Sequence, residues 1–244
     1  MSSQQSLLKV TGLTKNFGGL QAIHDLHFDV YPKEILGLIG PNGAGKSTAF
    51  DLISGLQRAN GGEVEFNGQP ITGVKPHFIA RIGISRTFQK IRIFKSMTVK
   101  ENVLVGSLMH GHDLKKAEER ALEVLELTEL SDKRDLPVTS LTLVDQKKVE
   151  LTRALSTSPQ LLLLDEVMSG LNPKEIQVAI DLVGKLNDLG ITIVIVEHVM
   201  RVIMSLAQRV VVLDHGIKIA DGAPQEIKKD PQVIKAYLGG GRHA

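Results

Sequence analysis

Two hydrophobic periods alternate along this chain. Residues 7–30 read as β structure, because Leu8-Lys9-Val10 and Leu26-His27-Phe28-Asp29-Val30 place apolar side chains at every second position. Gly18-Gly19 marks the turn between the two strands. The same period returns in Glu63-Val64-Glu65-Phe66 and closes on Asn67-Gly68, a hairpin-type turn signal. The texture changes after about residue 90. Residues 99–130 read as helical, with apolar positions three and four apart and charges between them, most clearly from Lys115 to Leu125. A further helix is expected over residues 144–156.

Short unbroken apolar runs then follow. Leu161-Leu162-Leu163-Leu164 and Ile191-Thr192-Ile193-Val194-Ile195-Val196 have the pattern of strands buried on both faces in a parallel sheet. A helix over residues 174–189 lies between them and completes a βαβ unit. Residues 210–213 and 217–220 form a hairpin across His215-Gly216, residues 224–238 look helical, and the Gly239-Gly240-Gly241 tail is expected to fray. No internal repeat or low-complexity tract is present. The pattern predicts an α/β core, residues 1–92 and 157–244, interrupted by a helical subdomain over residues 93–156.

Composition narrows the function. A chain of 244 residues with 42% apolar content suits one large domain, or a core with an inserted subdomain. The 29 basic and 27 acidic residues leave a net charge of +2, which gives little support for nucleic acid as the main partner. Without cysteine, disulfides and thiolate metal sites are excluded. The polar start Met1-Ser2-Ser3-Gln4-Gln5-Ser6 lacks a signal-peptide apolar region, and no apolar run approaches the ~18 residues that span a bilayer. A soluble, cytosolic protein is expected, with any membrane role exercised through a partner.

The candidate chemistry centres on Gly40-Pro41-Asn42-Gly43-Ala44-Gly45-Lys46-Ser47, which follows the apolar run Ile35-Leu36-Gly37-Leu38-Ile39 and precedes a helix over residues 47–53. Strand, glycine loop and helix in that order fit a phosphate-binding loop. Glycines let backbone N–H groups approach phosphate oxygens, and the helix N-terminus adds partial positive charge. Lys46 would bridge the β- and γ-phosphates, and Ser47 would hold Mg2+. Such a site needs an acid, and Asp165 stands at the end of a buried strand, where ligands bind in parallel α/β sheets. Glu166 comes next and points elsewhere, so it could polarise the attacking water. His198 follows another core strand and could reach the γ-phosphate. Taken singly, each has a plainer reading: a glycine turn, an acidic helix cap, a histidine satisfied at a strand end.

Together these residues make the chain resemble the ATP-binding subunit of ABC (ATP-binding cassette) transporters over residues 7 to about 238. The fold so implied is a P-loop NTPase core with an N-terminal antiparallel β region and an inserted α-helical subdomain. Gly40 to Ser47 is similar to the Walker A loop, and Phe17 falls where the adenine-stacking aromatic stands. Gln89 in Arg86-Thr87-Phe88-Gln89 matches the Q-loop glutamine, which senses Mg2+ and contacts the membrane subunit. Asp165 and Glu166 match Walker B and the catalytic base, Ser169-Gly170-Leu171-Asn172-Pro173 the D-loop, and His198 the switch histidine.

The resemblance implies ATP and Mg2+ as bound groups. Phe17, Gly40, Pro41, Asn42, Gly43, Ala44, Gly45, Lys46, Ser47, Thr48 and Thr142 would contact nucleotide. Ser47, Gln89 and Asp165 would hold the metal. Glu166, His198, Gln89 and Lys46 would carry catalysis. It also implies transmembrane permease subunits, a second ATPase subunit, and a place on the cytoplasmic face of the plasma (inner) membrane. Ser85-Arg86-Thr87-Phe88-Gln89, Met97-Thr98-Val99-Lys100-Glu101-Asn102-Val103 and Val233-Ile234-Lys235-Ala236-Tyr237-Leu238-Gly239 are similar to the ATPases of branched-chain amino acid importers, and lipopolysaccharide-transport ATPases share several of these features.

One segment departs from the family. Where Leu-Ser-Gly-Gly-Gln is usual, Leu141-Thr142-Leu143-Val144-Asp145 stands, so two glycines and the glutamine are replaced. In the family this signature meets the γ-phosphate of ATP held by the other subunit. Val144 adds bulk and Asp145 negative charge; alternatively only backbone N–H groups and the helix dipole matter there. Because only the part that acts in trans is altered, a heterodimer with a related ATPase is expected, a homodimer being the other arrangement. Two competing classes remain: a low-turnover regulatory nucleotide-binding subunit, and a non-transport module acting on DNA or ribosomes. The second class typically carries paired cassettes or long coiled-coil insertions, which this chain lacks.

Overall fold

The computed structural model describes residues 5–111 and 113–239. Strands β1 (Leu8–Phe17), β2 (Leu20–Val30) and β3 (Ile35–Ile39) lead into helix α1 (Lys46–Ile53). After β4 (Gly61–Phe66), β5 (Gln69–Pro70), α2 (Pro76–Arg81) and β6 (Ile84–Arg86) come the helices α3 (Val99–Ser107), α4 (Leu114–Leu127) and α5 (Leu143–Ser156). The chain returns through β7 (Leu161–Asp165), α6 (Pro173–Asp188), β8 (Thr192–Val196), α7 (Met200–Leu206), β9 (Arg209–Asp214) and β10 (Ile217–Gly222), and ends in α8 (Pro224–Ile227) and α9 (Pro231–Gly239).

Two sheets result. One is four-stranded, in the order β2-β1-β4-β5 with antiparallel pairing; the other is six-stranded, in the order β10-β9-β3-β8-β7-β6. The larger sheet is parallel from β9 to β6, with β10 antiparallel at its edge. Its unbroken apolar strands serve both faces, as their composition requires. Leu162 and Leu164 of β7 pack with the helical layer, including Val103, Val124 and Leu155, whereas Leu161 and Leu163 pack toward α1 and the smaller sheet, beside Phe50 and Val64.

Local chemistry accounts for several boundaries. Asn67 and Gly68 both take positive φ, 51° and 72°, as the two-residue hairpin turn demands. Helix α3 opens with a capping box, in which Thr98 accepts from Glu101 N and Glu101 accepts from Thr98 N. Two helical expectations need correction. Residues 99–130 are two helices, broken near Gly111 and restarted by Asp113, whose carboxylate caps Lys116 N. Residues 224–238 are also two helices. Pro231 cannot donate to continue α8, and Asp230 accepts from Gln232 N and Val233 N to begin α9. Helices α2 and α7 and strand β6 lie where the hydrophobic pattern predicts no element. Gly239 ends α9, and the rest of the tail expected to fray lies outside the described residues. Among the described residues no helix is long and apolar enough to cross a membrane.

Candidate functional site

The carboxyl ends of β3, β7 and β8 converge on one cleft of about 910 Å3. Its floor is the glycine loop. At Gly40 a Cβ would stand 2.1 Å from Leu213 O, and at Gly45 (φ +102°) 2.7 Å from Ala22 O, so backbone from neighbouring strands presses the loop into shape where only glycine fits. Helix α1 begins there without a side-chain cap and without an acid in its first turn. Its first N–H groups are thus left for an external anion, assisted by the helix dipole.

Lys46 is buried at the loop's end, and its Nζ donates to Gly40 O (2.7 Å) and Pro41 O (2.9 Å). Burial pushes its ammonium below the usual lysine value, while the carboxylates of Glu166 and Asp165 act in the opposite direction.

The acidic side is divided between two adjacent residues. Glu166 has φ +50°, a left-handed conformation uncommon outside glycine, directly after a strand. Its carboxylate receives Gln89 Nε2 on Oε2 and His198 Nε2 on Oε1, each at 2.7 Å. Glutamine, glutamate and histidine thus form one chain of hydrogen bonds, drawn from segments 77 and 32 residues away in sequence. Asp165 points elsewhere: Oδ2 accepts from Arg86 Nη2 at 2.7 Å, and Oδ1 is buried with no hydrogen-bond partner. Burial raises its carboxyl above the usual range, with the Arg86 guanidinium opposing the rise.

Ser47 and Thr48 line the cleft with residues 42–46, Gln89, Glu166 and His198. Phe17 lines its outer end at the tip of the β1–β2 hairpin, 45% exposed, with Lys15 Nζ 4.9 Å from its ring centre. Thr142 does not join this assembly; it caps α5 by accepting from Asp145 N. Asp145, which adds a negative charge to this segment, is held by Lys133 Nζ at 2.8 Å and Thr142 Oγ1 at 3.0 Å. Lys147, two residues on, donates from Nζ to Val167 O (3.2 Å) and to Ser169 O, tying α5 to the loop behind Glu166.

Sequence reasoning passed over Arg86 as a functional group and also His215, which lines the cleft from the β9–β10 turn. A charged residue ending a buried strand was the available signal for Arg86. On the far side of Arg86 runs a groove of about 250 Å3, whose apolar wall includes Leu56, Phe88, Phe94, Val105 and Met109.

Residues 23–169 match the family described as "ABC transporter", and residues 218–243 match "Branched-chain amino acid ATP-binding cassette transporter". The chain is 38% identical to the "High-affinity branched-chain amino acid transport ATP-binding protein LivG" of Escherichia coli strain K12, across 96% of this chain and 98% of that protein. It superposes on the ADP conformation of MJ1267, an ATP-binding cassette of an ABC transporter, with a TM-score of 0.87 and 31% identity, over 96% of this chain and 99% of that one. It is also similar to the dimeric bacterial ABC transporter cassette MJ0796, with a TM-score of 0.80 and 25% identity over 89% and 98% of the two chains.

Proposed function

The chain belongs to the ABC transporter family of ATP-binding cassettes, and on that premise we propose that it binds and hydrolyses ATP to drive import of branched-chain amino acids through a membrane permease. The observation that carries the solute is the likeness to LivG over nearly the whole of both chains. Deleting the gene should abolish uptake of labelled leucine, isoleucine and valine by cells, and a Glu166→Gln copy should not restore it. Unchanged uptake of all three, with loss of another solute, would overturn the substrate assignment.

The site residues divide the work as follows. The open N-terminus of α1 and the amides of residues 42–46 receive the phosphates, and Phe17 stacks on the adenine. Lys46 leaves the Gly40 and Pro41 carbonyls to meet the β- and γ-phosphates; its ammonium is already desolvated, so the exchange is one set of oxygens for a more negative one. Glu166 orients water and takes its proton, with Gln89 and His198 fixing the carboxylate's rotation.

Magnesium fits the donors present. Ser47, Asp165 and Gln89 offer hard oxygens, and Asp165 Oδ1 is buried and unpartnered, an acceptor waiting for a cation or its water. When bound there, the metal neutralises charge on the transferred phosphoryl group. The rest of catalysis is positioning and charge stabilisation by the chain itself.

A second subunit completes the machine, and the altered segment favours a different ATPase over a second copy. In this reading the partner's signature closes on ATP held here, while Thr142 to Asp145 faces the partner's ATP and supports slow turnover. The helical subdomain of residues 93–156 and the groove beside Phe88 take the permease on the cytoplasmic face of the membrane. Leu56, Phe94 and Val105, each about two-fifths exposed, supply the apolar contacts.

A further inference from the structure

Metal binding in this cleft depends on two elements that are not joined in sequence. Ser47 sits at the start of α1, and Asp165 ends β7. The distance between them must be held by something else, because a hydroxyl and a carboxylate tolerate little misplacement around a small octahedral cation.

Arg86 spans both elements from a third. At the end of β6, its Nη1 donates to Asp51 Oδ1 of α1 at 2.6 Å, and its Nη2 donates to Asp165 Oδ2 of β7 at 2.7 Å. The side chain is 7% exposed, and the rings of Phe50 and Phe88 lie 5.4 and 5.1 Å from its guanidinium carbon. A planar guanidinium with fixed N–H directions sets the relative pose of two carboxylates in a way an ammonium cannot. Because Oδ2 of Asp165 is engaged, the carboxylate cannot spin, and Oδ1 is the oxygen left free.

We propose that Arg86 is the positioning residue of the metal site: it clamps α1 to β7 and turns one chosen oxygen of Asp165 toward the cation. This rests on the nucleotide reading above and adds to it. The same side chain lines the apolar groove beside Phe88, so the groove and the metal carboxylate share one wall.

The test is manganese binding, read by electron paramagnetic resonance, to the full-length chain loaded with ADP. ADP affinity in EDTA is measured alongside by calorimetry. In Arg86→Met, manganese should bind about 10–100-fold more weakly, as when a residue supporting a metal ligand is removed elsewhere, while ADP affinity in EDTA stays within about 2-fold. Arg86→Lys keeps the charge but cannot bridge both carboxylates, and should lose most of the same affinity. Asp51→Asn releases only the α1 arm and should give a smaller loss in the same direction; it carries the test if Arg86→Met does not fold. Folded variants whose manganese affinity matches the parent would overturn the proposal. A parent chain that does not bind ADP even in EDTA would overturn the nucleotide reading first, and this proposal with it.

Discussion

Two helices of this chain begin at positions where a phosphate is expected, and they begin differently. Helix α1 starts after a left-handed glycine, with no capping side chain and no acid in its first turn. Helix α5 starts after Thr142, which caps Asp145 N, and Asp145 places a carboxylate in the first turn. The first N-terminus is therefore open to an anion, whereas the second already has an internal acceptor and an internal anion. Lys133 lies 2.8 Å from Asp145 and pairs its charge within the segment. The contrast between the two N-termini thus lies in hydrogen bonds and charge as well as in bulk.

This contrast can be broken from either side. The largest effect is expected in the open half. Glu166→Gln should retain ATP and slow phosphate release by about 10²–10⁴-fold, the usual contribution of a positioned base. A fall of less than tenfold in single-turnover hydrolysis would remove Glu166 from the chemistry. The closed half should respond to opening. In a Glu166→Gln background, restoring glycines and glutamine by Leu143→Gly, Val144→Gly and Asp145→Gln should strengthen ATP-dependent self-association about tenfold, measured by sedimentation, an effect of about 1.4 kcal/mol. No change would mean that the side chains of this segment are not what keeps copies apart.

Smaller effects test how α5 is held. Thr142→Ala removes the cap and should cost about 1 kcal/mol, lowering the calorimetric Tm by about 2–4 °C. An unchanged Tm would show that Asp145 and Lys133 suffice. The smallest concerns Glu197, buried beside the site with its carboxylate accepting from Met168 N at 2.8 Å. Burial raises its pKa above the usual carboxylate range, reinforced by Glu166 and opposed by the Met168 hydrogen bond. The folded state then binds this proton more readily than the unfolded one, so the residue costs stability as pH rises from the ordinary carboxylate range through its raised value. Glu197→Gln keeps the acceptor and removes the charge. Its Tm should match the parent in acid and exceed it increasingly toward neutral pH, and a constant difference would contradict the argument.

Much of this was readable from the chain because the decisive signals are local. The phosphate loop must be a contiguous run of small residues, and the buried strands must be unbroken apolar runs, so both announce themselves. The helix breaks at Gly111 and Pro231 were written too, but periodic apolar residues on either side masked them. The links between segments were not legible. Nothing in the spacing shows that Gln89 and His198 would meet on one carboxylate, or that Arg86 would join Asp51 to Asp165 across 35 and 79 residues. Those contacts depend on the order of strands β8, β7 and β6, which periodicity does not encode. Likewise, Asp145 read as a lone charge until the fold brought Lys133 beside it.

The account turns on an ATP site that is complete on its own side and unfinished on the other. The most direct measurement is the ATPase rate of the purified chain as a function of its own concentration, with and without the co-expressed second ATPase and permease. The account predicts tight binding of Mg-ATP by the chain alone, turnover that stays low and non-cooperative as concentration rises, and a large increase in the full assembly. Cooperative turnover by the chain alone, at the rate of the assembled complex, would contradict it.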